Sequence, residues 1–104
     1  MLFKIIIFNV LISRCSGSIT IIHFNLRGSR PLDDMKALKL RGKKFRNLTR
    51  KLTSNREVIR VRSEGNCCWR IHSDKQFRGR GQMIQTGFDE KPNFNIKSVE
   101  RTAC

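Results

Sequence analysis

Basic side chains dominate the middle of the chain and indicate polyanion chemistry. Between positions 36 and 62 there are eleven Lys and Arg residues, and Glu57 is the only acid. Such a run is either a solvated face that aids solubility or a footprint for a polyanion. Phe45 is its only aromatic residue, so base stacking is not indicated. The predicted polyanion-binding residues are Lys43, Lys44, Arg46, Arg50, Lys51, Arg60 and Arg62.

The residues that could perform catalysis are scattered. His23 and His72 lie in different halves of the chain, and the acid pairs at 33–34 and 89–90 fall in predicted loops. The nucleophile-elbow motif GxSxG and the zinc-peptidase motif HExxH do not occur in the sequence. The sequence therefore predicts a protein that is not an enzyme, with no catalytic residue and no cofactor.

The beginning of the chain is typical of a cleaved signal peptide. Lys4 supplies a positive start, an apolar run over 5–12 is broken only by Asn9, and small residues follow over 15–18. A core strand is the competing interpretation. The run is too short for a membrane span, which needs about 20 apolar residues. We expect a signal peptide over 1–17, cleavage near the 17/18 bond, and a secreted, extracellular protein without a transmembrane segment.

Signal cleavage at that bond changes the cysteine count. It removes Lys4, Arg14 and Cys15, which takes the net charge from +14 to +12 and leaves three of the four cysteines. In an oxidising compartment, an odd count predicts one disulfide together with a spare thiol or a disulfide-linked dimer. An earlier cut would retain Cys15 and make the count four.

An extracellular location also ranks the partners of the basic run. Nucleic acid is disfavoured because the chain looks secreted, so anionic lipid and acidic glycan are the expected polyanions. Asn47 begins an Asn-Leu-Thr sequon that ends at Thr49, which makes Asn47 a candidate glycosylation site. A glycan there would partly shield the basic run.

Short alternating runs separated by Gly, Asn, Asp and Ser predict an all-β chain. With 104 residues, the chain forms one domain at most. A short helix is the competing interpretation for the second run. The predicted strands cover 18–24, 35–40, 57–63, 68–73, 81–85 and 95–102.

The alternation also predicts which strand residues face the core. Ile59 and Val61 alternate with arginines, so both should lie on a buried face. Trp69 and Ile71 share one face and should be buried, whereas His72 should point outward.

The segment 69–80, WRIHSDKQFRGR, has the features of a folded β-hairpin. Phe77 can fold back over the reversal, and Gly79 can adopt a positive φ. Ser98 lies where its hydroxyl could bond the backbone donors that the bend leaves unpaired. In this order and spacing, Trp69, Phe77, Gly79 and Ser98 resemble the Greek-key motif of the βγ-crystallin family.

The resemblance implies a two-sheet β-sandwich of two Greek-key motifs in one domain over 18–104. The first motif would cover about 18–65 and the second about 66–104. The first is degenerate, because the aromatic lid is displaced and Val58 stands where the family usually has serine. Gly28 would be its hairpin glycine.

Two further expectations follow from the resemblance. In this fold the start of a motif's first strand lies beside the end of its last strand, which implies a disulfide from Cys68 to Cys104, with Cys67 as the alternative partner. Many microbial members bind calcium, and the corresponding stretch here is 93–98, NFNIKS. Phe94 and Lys97 occupy ligand positions there, so we expect no metal site. The remaining oxygen-bearing residues of this stretch are Asn93, Asn95 and Ser98.

These expectations combine into a secreted, single-domain, non-enzymatic protein of βγ-crystallin type. Its basic surface would serve an extracellular binding or structural role. The alternative is a host-defence protein, either a peptidase inhibitor or an antimicrobial, membrane-perturbing protein, because relatives with this sandwich include such proteins. Fold alone does not choose between them.

Overall fold

The computed structural model describes residues 15–26 and 35–104, and this part of the chain is all-β, as predicted. The second strand, for which a helix was the competing interpretation, is a strand. Within the described residues no helix is long and apolar enough to cross a lipid bilayer. The strands are β1 (Gly17–Asn25), β2 (Lys36–Leu40), β3 (Lys44–Phe45), β4 (Arg56–Gly65), β5 (Cys68–His72), β6 (Gly81–Ile84), β7 (Asp89–Glu90) and β8 (Ser98–Thr102).

The strands form two four-stranded antiparallel sheets. Each half of the chain, β1–β4 and β5–β8, contributes one strand to the sheet that the other half mainly forms. One sheet has the order β2-β1-β4-β7, and the other has the order β3-β8-β5-β6. β3 follows β2 in sequence but pairs with β8, and β7 follows β6 but pairs with β4. Each half therefore completes the sheet of the other, and the two halves form one folding unit.

The buried side chains of both sheets meet in a single core, which is the arrangement of a β-sandwich. Trp69 and Ile71 are fully buried, as their spacing predicted. Phe45 and Phe94 pack against the core from its edge. The core residues are Ile19, Ile21, Leu40, Leu48, Leu52, Val58, Val61, Trp69, Ile71, Ile84, Ile96 and Val99.

The β1–β4 pair of the first half and the β5–β8 pair of the second half have similar registers, until a bulge interrupts the β1–β4 pairing. Ile21 lies opposite Val61 between β1 and β4, as Ile71 lies opposite Val99 between β5 and β8. Beyond this point β4 contains one extra residue, Ile59, which has no partner on β1. The prediction that Ile59 faces the core is therefore wrong. The bulge reverses the alternation and buries Val58, whereas Ile59 is only half-buried.

Two disulfides join the ends of the sheets. Cys68 bonds Cys104, which confirms the predicted pairing, and the alternative partner Cys67 bonds Cys15 instead. All four cysteines are thus paired within the chain, so there is no spare thiol of the kind from which a disulfide-linked dimer was expected. Positions 1–14 of the expected signal peptide lie outside the described residues, as does the expected hairpin glycine Gly28.

Removal of the first disulfide should destabilise the fold strongly. In Cys15→Ala/Cys67→Ala, the unfolded chain regains the freedom of a loop that spans 52 residues, because the bridge no longer closes it. The chain-entropy estimate predicts a fall of about 4 kcal/mol in the free energy of unfolding. Urea denaturation followed by tryptophan fluorescence measures it. Iodoacetamide should label no thiol in the unreduced, denatured wild-type protein, and labelling of two or more would contradict the pairing.

Candidate polyanion-binding surface

The chain reverses tightly after β5 in a folded hairpin over 73–80. The backbone N–H of Ser73 donates to the carbonyl oxygen of Arg80 at 2.9 Å, and the N–H of Asp74 donates to that of Arg78 at 3.1 Å. The N–H of Arg80 donates in turn to Ser73 Oγ at 2.7 Å. Gly79 has the predicted positive φ, +77°, and a Cβ there would overlap Ser73 Oγ. Only glycine fits this position without strain.

Two residues at the tip of this hairpin adopt a conformation that side chains disfavour. Gln76 and Phe77 have φ of +60° and +58°, and the left-handed region costs roughly 1–2 kcal/mol for each such residue. Compensating contacts come from outside the hairpin. The fully buried hydroxyl of Ser98 accepts the N–H of Phe77 at 3.0 Å and donates to the carbonyl of Asp74 at 2.6 Å. This is the role that the spacing predicted for Ser98.

The hairpin lies over the outer face of β5, and this overturns the prediction for His72. The side chain of His72 is covered and does not point into solvent, since the residue is only 7% exposed. The ring of Phe77 packs edge-on against it, with 5.8 Å between ring centroids. On its other side, His72 Nε2 lies 3.5 Å from Glu100 Oε2.

The two histidines do not share a site in the described residues. His23 lies in β1 and His72 in β5, so the two belong to different sheets. Both are buried, and His23 Nδ1 accepts a hydrogen bond from Arg56 Nε at 2.9 Å. Their burial and separation support no joint acid–base role. The non-enzymatic function stays a prediction.

Two contacts bring the hairpin against the segment that contains the basic run, and a third joins that segment to the residue before β8. The N–H of Gln76 donates to the carbonyl oxygen of Arg46 at 2.8 Å, and the N–H of Leu48 donates to that of Lys97 at 2.8 Å. The ammonium of Lys44 lies 6.0 Å from the centre of the Phe77 ring, within reach of a cation–π contact. Segments that are remote in sequence therefore share one surface.

We call this surface the hairpin cluster. Its members are basic and exposed, and only the five in the segment 43–51 were predicted from the sequence. The other three come from the hairpin and from the residue before β8, and no basic run in the sequence indicated them. The carboxylate of Asp74 belongs to the same hairpin and offsets part of the charge. The cluster consists of Lys43, Lys44, Arg46, Arg50, Lys51, Lys75, Arg78 and Lys97.

Two of the predicted polyanion-binding residues lie elsewhere. Arg60 and Arg62 are on the outer face of β4, in the other sheet, and both pair with Asp89 at 3.2 Å and 3.1 Å. Lys39 on the same sheet pairs with Glu64 at 3.2 Å. These carboxylates balance the charge of that face locally. The structure therefore separates Arg60 and Arg62 from the other five predicted polyanion-binding residues, and polyanion binding by any of the seven stays a prediction.

The oxygen-bearing residues of the calcium-type stretch lie in different environments. Asn93 and Asn95 are exposed, but Ser98 is buried and its hydroxyl is engaged by the hairpin. The ammonium-bearing residue Lys97 is exposed between them. In residues 15–26 and 35–104, no group of three or more His, Cys, Asp or Glu side chains could hold a metal ion.

The sequon lies at the edge of the hairpin cluster. Asn47 is exposed, and its side-chain oxygen accepts the N–H of Thr49 at 3.0 Å and the hydroxyl of Thr49 at 2.6 Å. Its neighbour Arg46 belongs to the cluster. Glycosylation of Asn47 stays a prediction, and a glycan there would lie beside the basic surface.

A comparison with models of protein families, with curated proteins and with solved structures finds no match. The βγ-crystallin resemblance therefore rests on residues of this chain alone.

Removal of the Ser98 hydroxyl should lower the free energy of unfolding more than removal of an exposed hydroxyl. In Ser98→Ala, the N–H of Phe77 and the carbonyl of Asp74 lose their shared partner, so the free energy of unfolding should fall by about 1–3 kcal/mol. The control is Ser54→Ala, at an exposed turn position, with an expected change within about 0.5 kcal/mol. Urea denaturation measures both, and equal effects would contradict the role of Ser98.

Proposed function

We propose that the protein is a secreted, non-enzymatic domain of βγ-crystallin type that binds acidic glycans through the hairpin cluster. One observation carries the proposal. Eight exposed cations lie on three segments that hydrogen bonds and a cation–π contact join at one folded hairpin, whereas Arg60 and Arg62 on β4 are paired with the carboxylate of Asp89. An unbalanced basic surface attracts polyanions and raises their local concentration.

The strand order supports the Greek-key part of the proposal. Each half of the chain contributes four strands, and the third strand of each half joins the sheet of the other. The second half has the folded hairpin and the serine that bonds it. In the first half a bulge at Ile59 interrupts the pairing, which is consistent with a degenerate motif.

The distribution of apolar side chains favours a glycan over a lipid surface. Proteins that insert into a bilayer place apolar side chains next to their basic ones. In the described residues the exposed large hydrophobic side chains are Leu26, Met35, Met83 and Phe88, and none lies in the segments 43–51 and 73–80 that carry most of the hairpin cluster. This distribution also weakens the membrane-perturbing alternative. The peptidase-inhibitor alternative stays a prediction without a structural observation in its favour.

The disulfides support secretion and limit the position at which the signal peptide would be cleaved. Two bridges in a small domain are typical of oxidising compartments. A cut near the 17/18 bond would remove Cys15 and leave Cys67 unpaired, so we propose that cleavage occurs before Cys15. Intact-mass analysis of the protein secreted from eukaryotic cells would locate the cut, and a mature chain without Cys15 would contradict this proposal.

Heparin affinity tests the hairpin cluster. The variant Lys43→Gln/Lys44→Gln/Arg46→Gln removes three charges from the cluster, and exposed ion pairs contribute up to about 1 kcal/mol each. We expect its affinity for heparin to fall about tenfold. It should therefore elute from a heparin column at lower NaCl concentration than the wild-type protein.

The matched control removes three charges from the opposite sheet. Lys39→Gln/Arg60→Gln/Arg62→Gln has the same net charge as the cluster variant, but its cations were already paired with Glu64 and Asp89. We expect it to elute close to the wild-type protein. Equal losses in both variants would show that net charge alone governs retention. If the wild-type protein caused phosphatidylserine vesicles to release their contents at the concentrations at which it binds heparin, the result would favour the membrane-perturbing alternative.

A further inference from the structure

A cavity opens beside the hairpin cluster, between the segment 49–58 and the residues that precede β8. Its volume is roughly 540 Å³, within the range of about 300–1,000 Å³ that is usual for small-molecule sites. Three cationic side chains line it: Arg56, Lys75 and Lys97. No Asp or Glu occurs among its described lining residues. The cavity is therefore suited to an anion.

The cations come from three elements whose positions are fixed by backbone contacts. Lys75 belongs to the hairpin that Ser98 holds in place. The carbonyl of Lys97 accepts the N–H of Leu48 at 2.8 Å. Arg56 begins β4, and its guanidinium is anchored through Nε to His23. The backbone of Lys75 and Lys97 and the guanidinium of Arg56 are thus held before an anion binds, which reduces the ordering cost of binding.

The remaining lining gives the cavity two further properties. Leu52, Val58 and Ile96 form an apolar floor, and each is at most 8% exposed. Hydroxyl and amide groups around the rim can bond to sugar hydroxyls, and they belong to Thr49, Thr53, Ser54 and Asn95. A sugar ring has an apolar face and polar edges, which match this floor and rim.

We infer that this cavity, the anion pocket, binds one sulfated sugar residue of an acidic glycan. The sulfate group is held by Lys75 and Lys97, Arg56 adds positive potential, and the sugar ring lies on the apolar floor. Sulfate is a tetrahedral oxyanion, and Lys and Arg bind such groups through charge-assisted hydrogen bonds. The inference rests on the proposed function, because it assigns to the glycan a specific site next to the hairpin cluster.

Nuclear magnetic resonance titration of the disulfide-bonded protein tests the anion pocket. The probe is a sulfated heparin disaccharide, and the control probe is the same disaccharide without sulfate. We expect saturable shifts of the backbone amides of Thr53, Ser54 and Asn95 with the sulfated probe only. The apparent Kd should rise at least threefold in Lys75→Gln/Lys97→Gln. It should not change in Lys36→Gln/Lys39→Gln, which removes two exposed charges from β2.

The outcomes separate this inference from the proposed function. Retention on heparin without saturable shifts at the pocket amides would overturn the anion pocket and leave the proposed function intact. Shifts at the pocket without retention on heparin would overturn the proposed function instead. Equal weakening by the two double variants, or equal binding of the unsulfated disaccharide, would overturn the assignment of the sulfate to Lys75 and Lys97. Tighter binding of glucose 6-phosphate than of glucose 6-sulfate would overturn the choice of a sulfated sugar.

Discussion

The hydroxyl of Ser98 is the contact on which the candidate surface depends. Gln76 and Phe77 both occupy the left-handed region, and the hairpin keeps this conformation only because outside partners compensate for its cost. Ser98 supplies two of those contacts from beneath the hairpin, on the outer face of the sheet, where its full burial keeps water from competing for its hydroxyl. The hairpin in turn carries Lys75 and Arg78 to the segment that contains the basic run. One buried side chain therefore links the core to the distribution of charge on the surface.

The exchange of strands between the halves has opposite electrostatic effects in the two sheets. Through β3, the basic segment from the first half is attached to β8, so its cations add to those of the second half's hairpin. Through β7, Asp89 from the second half is placed beside β4, where it pairs with both Arg60 and Arg62. The same topology thus concentrates positive charge around the hairpin and offsets part of it on the opposite sheet. Net charge alone would not distinguish these two faces.

Local spacing predicted the parts of the fold that local geometry controls. The positive φ of Gly79, the bond from Ser98 to the hairpin and the burial of Trp69 follow from turn sterics and strand alternation. Two predictions were wrong where another part of the structure intervened. His72 is covered by a hairpin that folds back over its strand, and a bulge buries Val58 in place of Ile59. The basic run is also divided, because Arg62 meets Asp89, 27 residues further along the chain.

The amino-acid sequence by itself determined the all-β class, the folded hairpin and the presence of a strong basic run, because each depends on residues that are close along the chain. The pairing of Cys15 with Cys67, the joining of Lys75, Arg78 and Lys97 to the basic segment, and the anion pocket were decided only by the tertiary structure. The cysteine pairing follows from the pairing of β1 with β4, which sets Gly17 opposite Gly65, and the physical reason for the other two is the exchange of β3 and β7. This exchange brings together side chains that are far apart in sequence, where neither periodicity nor composition indicates that they meet. It also determines which cations pair with a carboxylate.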